Sequence, residues 1–299
     1  MPIVSFKELM AEAKSGEYAV GYFEAWNLES ILAVADAASA MRSPVMLGFS
    51  GIHLPCAESE GSKRLRPYAA LGTEVCRQLS VPACLVFNES PHADWVREAI
   101  DLNFGLVMFS DPDLSLGDEQ EHVRQIVAEA HPSSVAVEGE MKALPGVLLG
   151  VSSVPEDLHL TDPKQARAFV EFTGVDSLAV NVGQVHIHGR KEIHLDLPRL
   201  SALRKEIPVP LVLHGGTSIS PADTSEAIKL GVRKINLGSV LRKSYFEGLR
   251  SACAKIDGDY NPYEVIGTGV GKDVLAAGRV ALMKTVKHFM SLFRSAGKV

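Results

Sequence analysis

The stretch Pro210-Leu-Val-Leu-His-Gly-Gly-Thr-Ser218 ends a short apolar run with a side chain that can bind a metal, His214, and follows it with two glycines and two hydroxyl residues. The chain then enters a helix through Ser220-Pro-Ala-Asp223. There Ser caps free N–H groups, Pro suits the first helical position and Asp complements the positive end of the dipole. A strand that delivers histidine beside a bare backbone turn and a helix N-terminus can present a cation site and an anion site side by side, and phosphate is the natural anion. The same pattern occurs in oxyanion loops and in plain turns. Other polar residues stand where apolar runs end: Ser50, Asn88-Glu89, Ser110-Asp111, Glu138, Glu140, His186 and Asn236-Leu-Gly-Ser239. Carboxylates and imidazoles gathered in one place serve as metal ligands or as general acids and bases. Glu138 and Glu140 are two apart on a strand and share a face, either as a pair at a catalytic rim or as one half of an internal salt bridge.

The runs that carry these residues alternate with helical patterns. Strands are expected at Tyr18–Phe23, Val45–Ser50, Pro82–Phe87, Gly105–Ser110, Ser134–Glu140, Asp176–Val182, Pro210–Leu213 and Arg233–Leu237. Helices are expected after Asn27 with Leu28, Ile31, Leu32 and Ala35 on one face, within Ser62–Leu79, over Trp95–Leu102 and Glu119–Ala130, and from Asp162-Pro163 to Gly174. Nearly continuous apolar strands separated by amphipathic helices are buried on both faces, which means a parallel sheet. Eight such units close most simply into an α/β (β/α)8 TIM barrel, here a single domain over residues 1–299 with a C-terminal helical extension. In such a barrel the strand ends converge on one rim. An open doubly wound sheet is disfavoured, since no glycine-rich nucleotide fingerprint follows the first strand.

With 299 residues, 46% of them hydrophobic, the chain can bury a large core. It has no apolar run of the roughly 20 residues that a membrane span needs, and its N-terminus lacks the layout of a signal peptide, so a cytoplasmic protein without membrane partners is expected. A net charge of −6 without a basic cluster argues against nucleic-acid binding. Cys56, Cys76, Cys84 and Cys253 form no CxxC pair and read as reduced thiols.

The segments YAVGYFEAWNLES, LTDPKQARAFVEFTGVDSLAV, LVLHGGTSIS, VRKINLGSVLR and RVALMKTVKHFMSLFRSAGK closely resemble the class II, metal-dependent fructose- and tagatose-bisphosphate aldolases, in order and spacing across almost the whole chain. The resemblance implies a divalent metal ion, zinc by preference, held by His186 and His214. Where the family ends its third strand in Asp-His, this chain has Asn88 and Glu89. Glutamate is a legitimate third ligand, but an amide cannot take up a hydroxyl proton near neutral pH. Glu89 is therefore the third ligand, the proton carrier or a solvated loop carboxylate. Glu140 matches a family carboxylate near the metal. Of the loop histidines His188 and His194, most such residues are solvent-exposed.

On the phosphate side the resemblance implies that Gly215, Gly216, Thr217, Asn236, Gly238 and Ser239 hold the three-carbon phosphate half, with Ser50 on the same rim. Ile187 replaces a family glycine and Gly238 an aspartate. Arg279 matches an arginine that reaches the distal phosphate of a neighbouring subunit, and a homodimer or homotetramer follows from the family habit. Glu24 stands where an Asn is common; a carboxylate there repels a dianion, which points to a neutral or cationic far end of the substrate. The implied activity is a carbon–carbon lyase acting on a ketose phosphate or related phosphorylated carbonyl compound. The alternatives are a sugar-phosphate-binding barrel serving as sensor or partner subunit, and an isomerase or epimerase that uses the same enediolate.

Overall fold

The computed structural model describes residues 2–54, 61–144, 158–185 and 192–299. Eight parallel strands close into a barrel in chain order: β1 (Val20–Glu24), β2 (Val45–Ser50), β3 (Ala83–Ser90), β4 (Leu106–Phe109), β5 (Ala136–Glu140), β6 (Ser177–Ala179), β7 (Leu211–Leu213) and β8 (Val232–Leu237). Around them run α1 (Phe6–Ser15), α2 (Leu28–Met41), α3 (Gly61–Gln78), α4 (Ala93–Asp101), α5 (Leu116–Ala130), α6 (Pro163–Thr173), α7 (Leu197–Glu206), α8 (Pro221–Lys229), α9 (Ser239–Cys253), α10 (Pro262–Val265) and α11 (Val274–Leu292). The expected (β/α)8 barrel is thus present, with α2 to α9 following β1 to β8 in turn, and α10 and α11 form the C-terminal helical extension.

The period-2 alternation of the strands sorts their side chains into two layers. Phe23, Leu47, Leu85, Phe87, Val107, Leu213 and Ile235 join the helices in one large core. Val20, Tyr22, Met46, Cys84, Val86, Leu106 and Ala136 form a second cluster with Phe6, Leu9, Met10 and Ala13 of α1. Since Val20 pairs with Lys234 and Tyr22 with Asn236 across β1 and β8, this second layer is the barrel interior, and α1 covers its N-terminal end. Helix α1, capped by a Ser5–Glu8 box, and α7, capped by Asp196, were not among the expected helices. The expected caps are seen: Asn27 on α2, Asp162 on α6 with Gly174 closing it at φ 73, and Ser220 on α8. Each such N-cap contributes roughly 1 kcal/mol.

Strand bounds differ where it matters for chemistry. The third strand was expected to stop at Phe87, yet β3 continues to Ser90 and takes in Asn88 and Glu89. Its register against β4 shifts between Phe87 and Ser90, and Glu89 has a left-handed backbone with φ 43. Strict alternation would turn Asn88 and Glu89 to opposite faces. An irregularity of this kind re-aims the side chain, at a backbone cost on the order of 1–3 kcal/mol for a residue other than glycine.

Candidate active site

His214 follows β7 directly and is 1% exposed. Its Nε2 lies 3.0 Å from Glu138 Oε1 and its Nδ1 lies 2.9 Å from Glu89 Oε1, with Glu140 Oε1 3.9 Å from the same Nδ1. Glu138 is fully buried and also accepts two 2.9 Å hydrogen bonds from Lys234 Nζ, one on each oxygen. Lys234, itself fully buried, lies 5.2 Å from the centre of the Tyr22 ring. The interior of the barrel is therefore crossed by one chain of charged contacts, Lys234 to Glu138 to His214 to Glu89.

The titration of these groups follows from that chain. Burial opposes a charge on His214, but its hydrogen bonds to Glu138 and Glu89 and the charges of the carboxylates outweigh it and push the imidazole up to about 10. Burial would likewise raise Glu138, but Lys234 and His214 hold its carboxyl below the usual range. Glu140 has no such cation in hydrogen-bond reach: burial pushes it up to about 8, His214 opposes, and Glu89, Glu119 and Glu138 add to the rise.

Among the described residues no group of three or more His, Cys, Asp or Glu could by itself hold a metal ion. The expected ligand His186 lies outside the described residues, as do Ile187, His188 and Cys56. What is described has the donor chemistry for part of a divalent-ion site. Glu138 holds the Nε2–H of His214, the carboxylate–histidine arrangement that fixes the tautomer of a ligand, and this leaves Nδ1 as the donor. That nitrogen faces Glu89 and Glu140, so one imidazole and two carboxylates converge where a proton now sits. Of the two readings of the Glu138/Glu140 pair, each takes one residue: Glu138 forms the internal salt bridge and Glu140 faces the candidate metal position.

The anion side lies next to it. Gly215 has φ 65, and Gly216 packs so closely on β8 that a Cβ would lie 2.6 Å from Ile235 Cγ2 and 3.0 Å from Asn236 O. Ser239 Oγ donates to Thr217 Oγ1 at 3.3 Å, which joins the loop after β7 to the start of α9. The N-cap of α9 is Gly238, which offers no side-chain cap, so the first N–H groups of a 15-residue helix stay available beside two hydroxyls. Asn236 Nδ2 reaches Asn88 Oδ1 at 3.4 Å, and Ser50 pairs in register with Asn88. Asn88, Glu89, Glu140, His214, Gly215, Gly216, Thr217, Asn236, Gly238, Ser239 and Ser50 thus share one rim. Arg279 is apart from it, donating from Nε and Nη2 to Asp36 of α2 at 2.8 and 2.6 Å. His194 is exposed and contacts Asp223.

Three contributors escaped the sequence reading. Lys234 stands two residues before Asn236 and shares its face, the one signal that placed it inside the barrel. Arg242 and His53 carried none, since both come from loop or helix positions that only closure of the barrel brings to Glu24. Arg242 Nη2 donates to Glu24 Oε1 at 2.6 Å, and His53 Nδ1 lies 3.0 Å from the same oxygen. Glu24 is thus a compensated carboxylate, and the repulsion expected of it falls away. Its Oε2 occupies the space beside Gly238, where a Cβ would come within 2.5 Å.

Residues 4–298 match the family described as "Fructose-bisphosphate aldolase class-II". A fructose-bisphosphate aldolase of Geobacillus stearothermophilus is 34% identical over 301 residues, covering 100% of this chain and 99% of that one. A sulfofructosephosphate aldolase of Alkalicoccus urumqiensis is 28% identical over 298 residues, covering 100% and 99%. The crystal structure of a fructose-1,6-biphosphate aldolase from Coccidioides immitis superposes with a TM-score of 0.80 at 25% identity, over 98% of this chain and 97% of that one. With the family matched over nearly its full length and its barrel reproduced, the chain belongs to the class II fructose-bisphosphate aldolases and is a metal-dependent aldolase.

Proposed function

We propose that this aldolase joins and separates a three-carbon ketone phosphate, dihydroxyacetone phosphate, and an aldehyde, with zinc as its ion. The observation that carries the reading is the convergence of His214 Nδ1, Glu89 and Glu140 on one point beside the Thr217–Ser239 hydroxyl pair. His214 and Glu89 would hold the ion, with His186 as the further ligand that the family pattern implies. When bound, the ion polarises the substrate carbonyl as a Lewis acid.

The chain's own residues supply the rest. Thr217, Ser239, the N–H groups of Gly215 and Gly216 and the uncapped start of α9 grip the phosphate by charge-assisted hydrogen bonds. Asn88, steadied by Asn236, orients a substrate hydroxyl without moving its proton. Proton movement falls to Glu140, which is buried, lies 3.9 Å from His214 Nδ1 and takes up and releases a proton more readily than a paired carboxylate. In cleavage, Glu140 takes the proton of the hydroxyl next to the scissile bond. The carbon–carbon bond breaks to give the aldehyde, its electron pair passes to the carbonyl oxygen of the three-carbon half, and Glu140 returns its proton to the carbon so freed, which gives dihydroxyacetone phosphate.

Exposed Phe246, Tyr263 and Val280 on α9, α10 and α11 support a homodimer or homotetramer, and buried free Cys76 and Cys84 support a reducing, cytoplasmic setting. Among the described residues no helix is long and apolar enough to cross a membrane. The test is deuterium exchange into dihydroxyacetone phosphate, followed by NMR. Zinc-loaded protein is expected to exchange one carbon-bound hydrogen stereospecifically and to lose this on chelation. Absence of exchange by zinc-loaded, folded protein would refute the reading.

A further inference from the structure

Between the ends of β1 and β2 lies a small pocket lined by Glu24, Trp26, Phe49, Ser50, His53 and Arg242, among others. Ser50 is 3% exposed, and its Oγ has no hydrogen-bond partner among the described residues. Arg242 Nε and His53 Nδ1 are buried and likewise lack a hydrogen-bond partner among the described residues, although His53 Nδ1 stands 3.0 Å from Glu24 Oε1. Three polar atoms without a hydrogen-bond partner among the described residues, gathered around one space, call for a ligand, because a buried group without a partner is costly. The space neighbours the reacting centre, since Ser50 pairs in register with Asn88.

Charge and size decide which ligand. The guanidinium of Arg242 is already engaged, with Nη2 on Glu24 and its plane carbon 4.7 Å from the centre of the Trp26 ring. Glu24 and Arg242 cancel each other. A phosphate dianion would have to compete with a buried carboxylate for the one arginine, while a substrate cation would meet that same arginine. A hydroxyl both donates and accepts, so it can donate to Glu24 or Ser50 and accept from Arg242 Nε. The cavity measures ≈ 10 Å³, about the room that one water needs. That is the size of a hydroxyl, not of a phosphate.

We infer that this pocket receives an uncharged hydroxyl-bearing end of the aldehyde half, so that Glu24, Ser50 and Arg242 select a polyhydroxy aldehyde over a phosphorylated one; the inference rests on the aldolase reading above. Phosphate recognition is then confined to the three-carbon half, at Thr217 and Ser239. Gly238 is part of the same device, because any side chain there would push Glu24 out of the pocket.

The experiment is condensation of dihydroxyacetone phosphate with D-glyceraldehyde or with D-glyceraldehyde 3-phosphate by the zinc-loaded protein, compared as kcat/KM. Wild type is expected to favour the uncharged aldehyde at least about tenfold, because the pocket has room for a hydroxyl and no unmatched cation for a phosphate. Glu24→Gln leaves Arg242 unmatched and should lower that ratio by roughly tenfold. Ser50→Ala, a change small enough to keep the fold, should lower kcat/KM for the uncharged aldehyde more than for the phosphorylated one. A wild-type preference for the phosphorylated aldehyde, or a ratio unmoved in both variants, overturns the inference and leaves the aldolase reading standing. No exchange and no condensation with either aldehyde overturns both.

Discussion

Lys234 is the residue whose removal says most about how the site is held. Its ammonium makes two 2.9 Å contacts with Glu138, and both side chains are fully buried. Lys234→Met keeps the length and apolar stem but leaves the carboxylate with only the hydrogen bonds from His214 Nε2 and Ser177 Oγ among the described residues. Breaking a buried pair from one side costs about 3–5 kcal/mol, whereas replacing both partners by neutral groups is often tolerated. Urea unfolding of the metal-free protein at pH 7 should therefore show Lys234→Met destabilised by about that amount, and Lys234→Met with Glu138→Gln destabilised by less than the single variant. The pH dependence carries a sign. In the wild type the Glu138 carboxyl is held low, so its stabilisation is present above the ordinary carboxylate range and is lost as pH falls through the folded value. Without Lys234 burial is opposed by His214 with less help, so the carboxyl rises and the loss in acid begins at a higher pH. A single variant within about 1 kcal/mol of wild type at pH 7, or one with an unchanged pH profile, would show that Lys234 does not pin Glu138.

Glu119 is 5% exposed, and burial, opposed by a hydrogen bond from the Asp111 backbone and aided by the Asp111 charge, pushes it up to about 7. A carboxyl raised in the folded state stabilises below its ordinary value near 4.5 and loses that contribution as pH rises through 7, so Glu119→Gln should gain roughly 2–3 kcal/mol relative to wild type between pH 5 and pH 8, read from urea midpoints. An equal change in both proteins sinks the assignment. Glu89→Gln separates ligand from proton carrier: loss of zinc on dialysis supports the ligand role, since an amide oxygen is a weaker donor than a carboxylate. Retained zinc with turnover reduced by roughly 10²–10⁴-fold would move the proton to Glu89. Thr217→Asp sets a carboxylate beside Ser239 Oγ and should abolish measurable dihydroxyacetone phosphate binding by calorimetry while leaving zinc content unchanged; unaltered affinity would put the phosphate elsewhere.

The barrel was legible because alternation and capping are local. Ser220-Pro-Ala-Asp223 and Asp162-Pro163 announce their helices in a few residues, and the strands between are short apolar runs. The rim was legible for the same reason, as polar residues at strand ends have one place to go in a closed barrel. What stayed hidden depends on closure. Lys234 meets Glu138 from across the lumen, Arg242 reaches Glu24 from the first turn of α9, and no spacing along the chain encodes either distance. Asn88-Glu89 was visible as a departure, but the register shift that aims Glu89 at His214 was not, because nothing in PACLVFNES marks the irregularity.

Two departures that the sequence presents separately become one in space. Gly238 stands where the resemblance places a carboxylate, and Glu24 stands where it places an amide. In the barrel, Glu24 Oε2 fills the volume next to Gly238, so close that any Cβ at 238 would meet it at 2.5 Å. The rim has kept its carboxylate and moved its origin from the turn after β8 to the end of β1. The relocated group brings a partner that the turn did not supply: Arg242, one helical turn beyond Gly238, neutralises it at 2.6 Å and lies over Trp26. A change at either position alone would leave a clash or an unmatched arginine, so Glu24, Gly238 and Arg242 are constrained as a set.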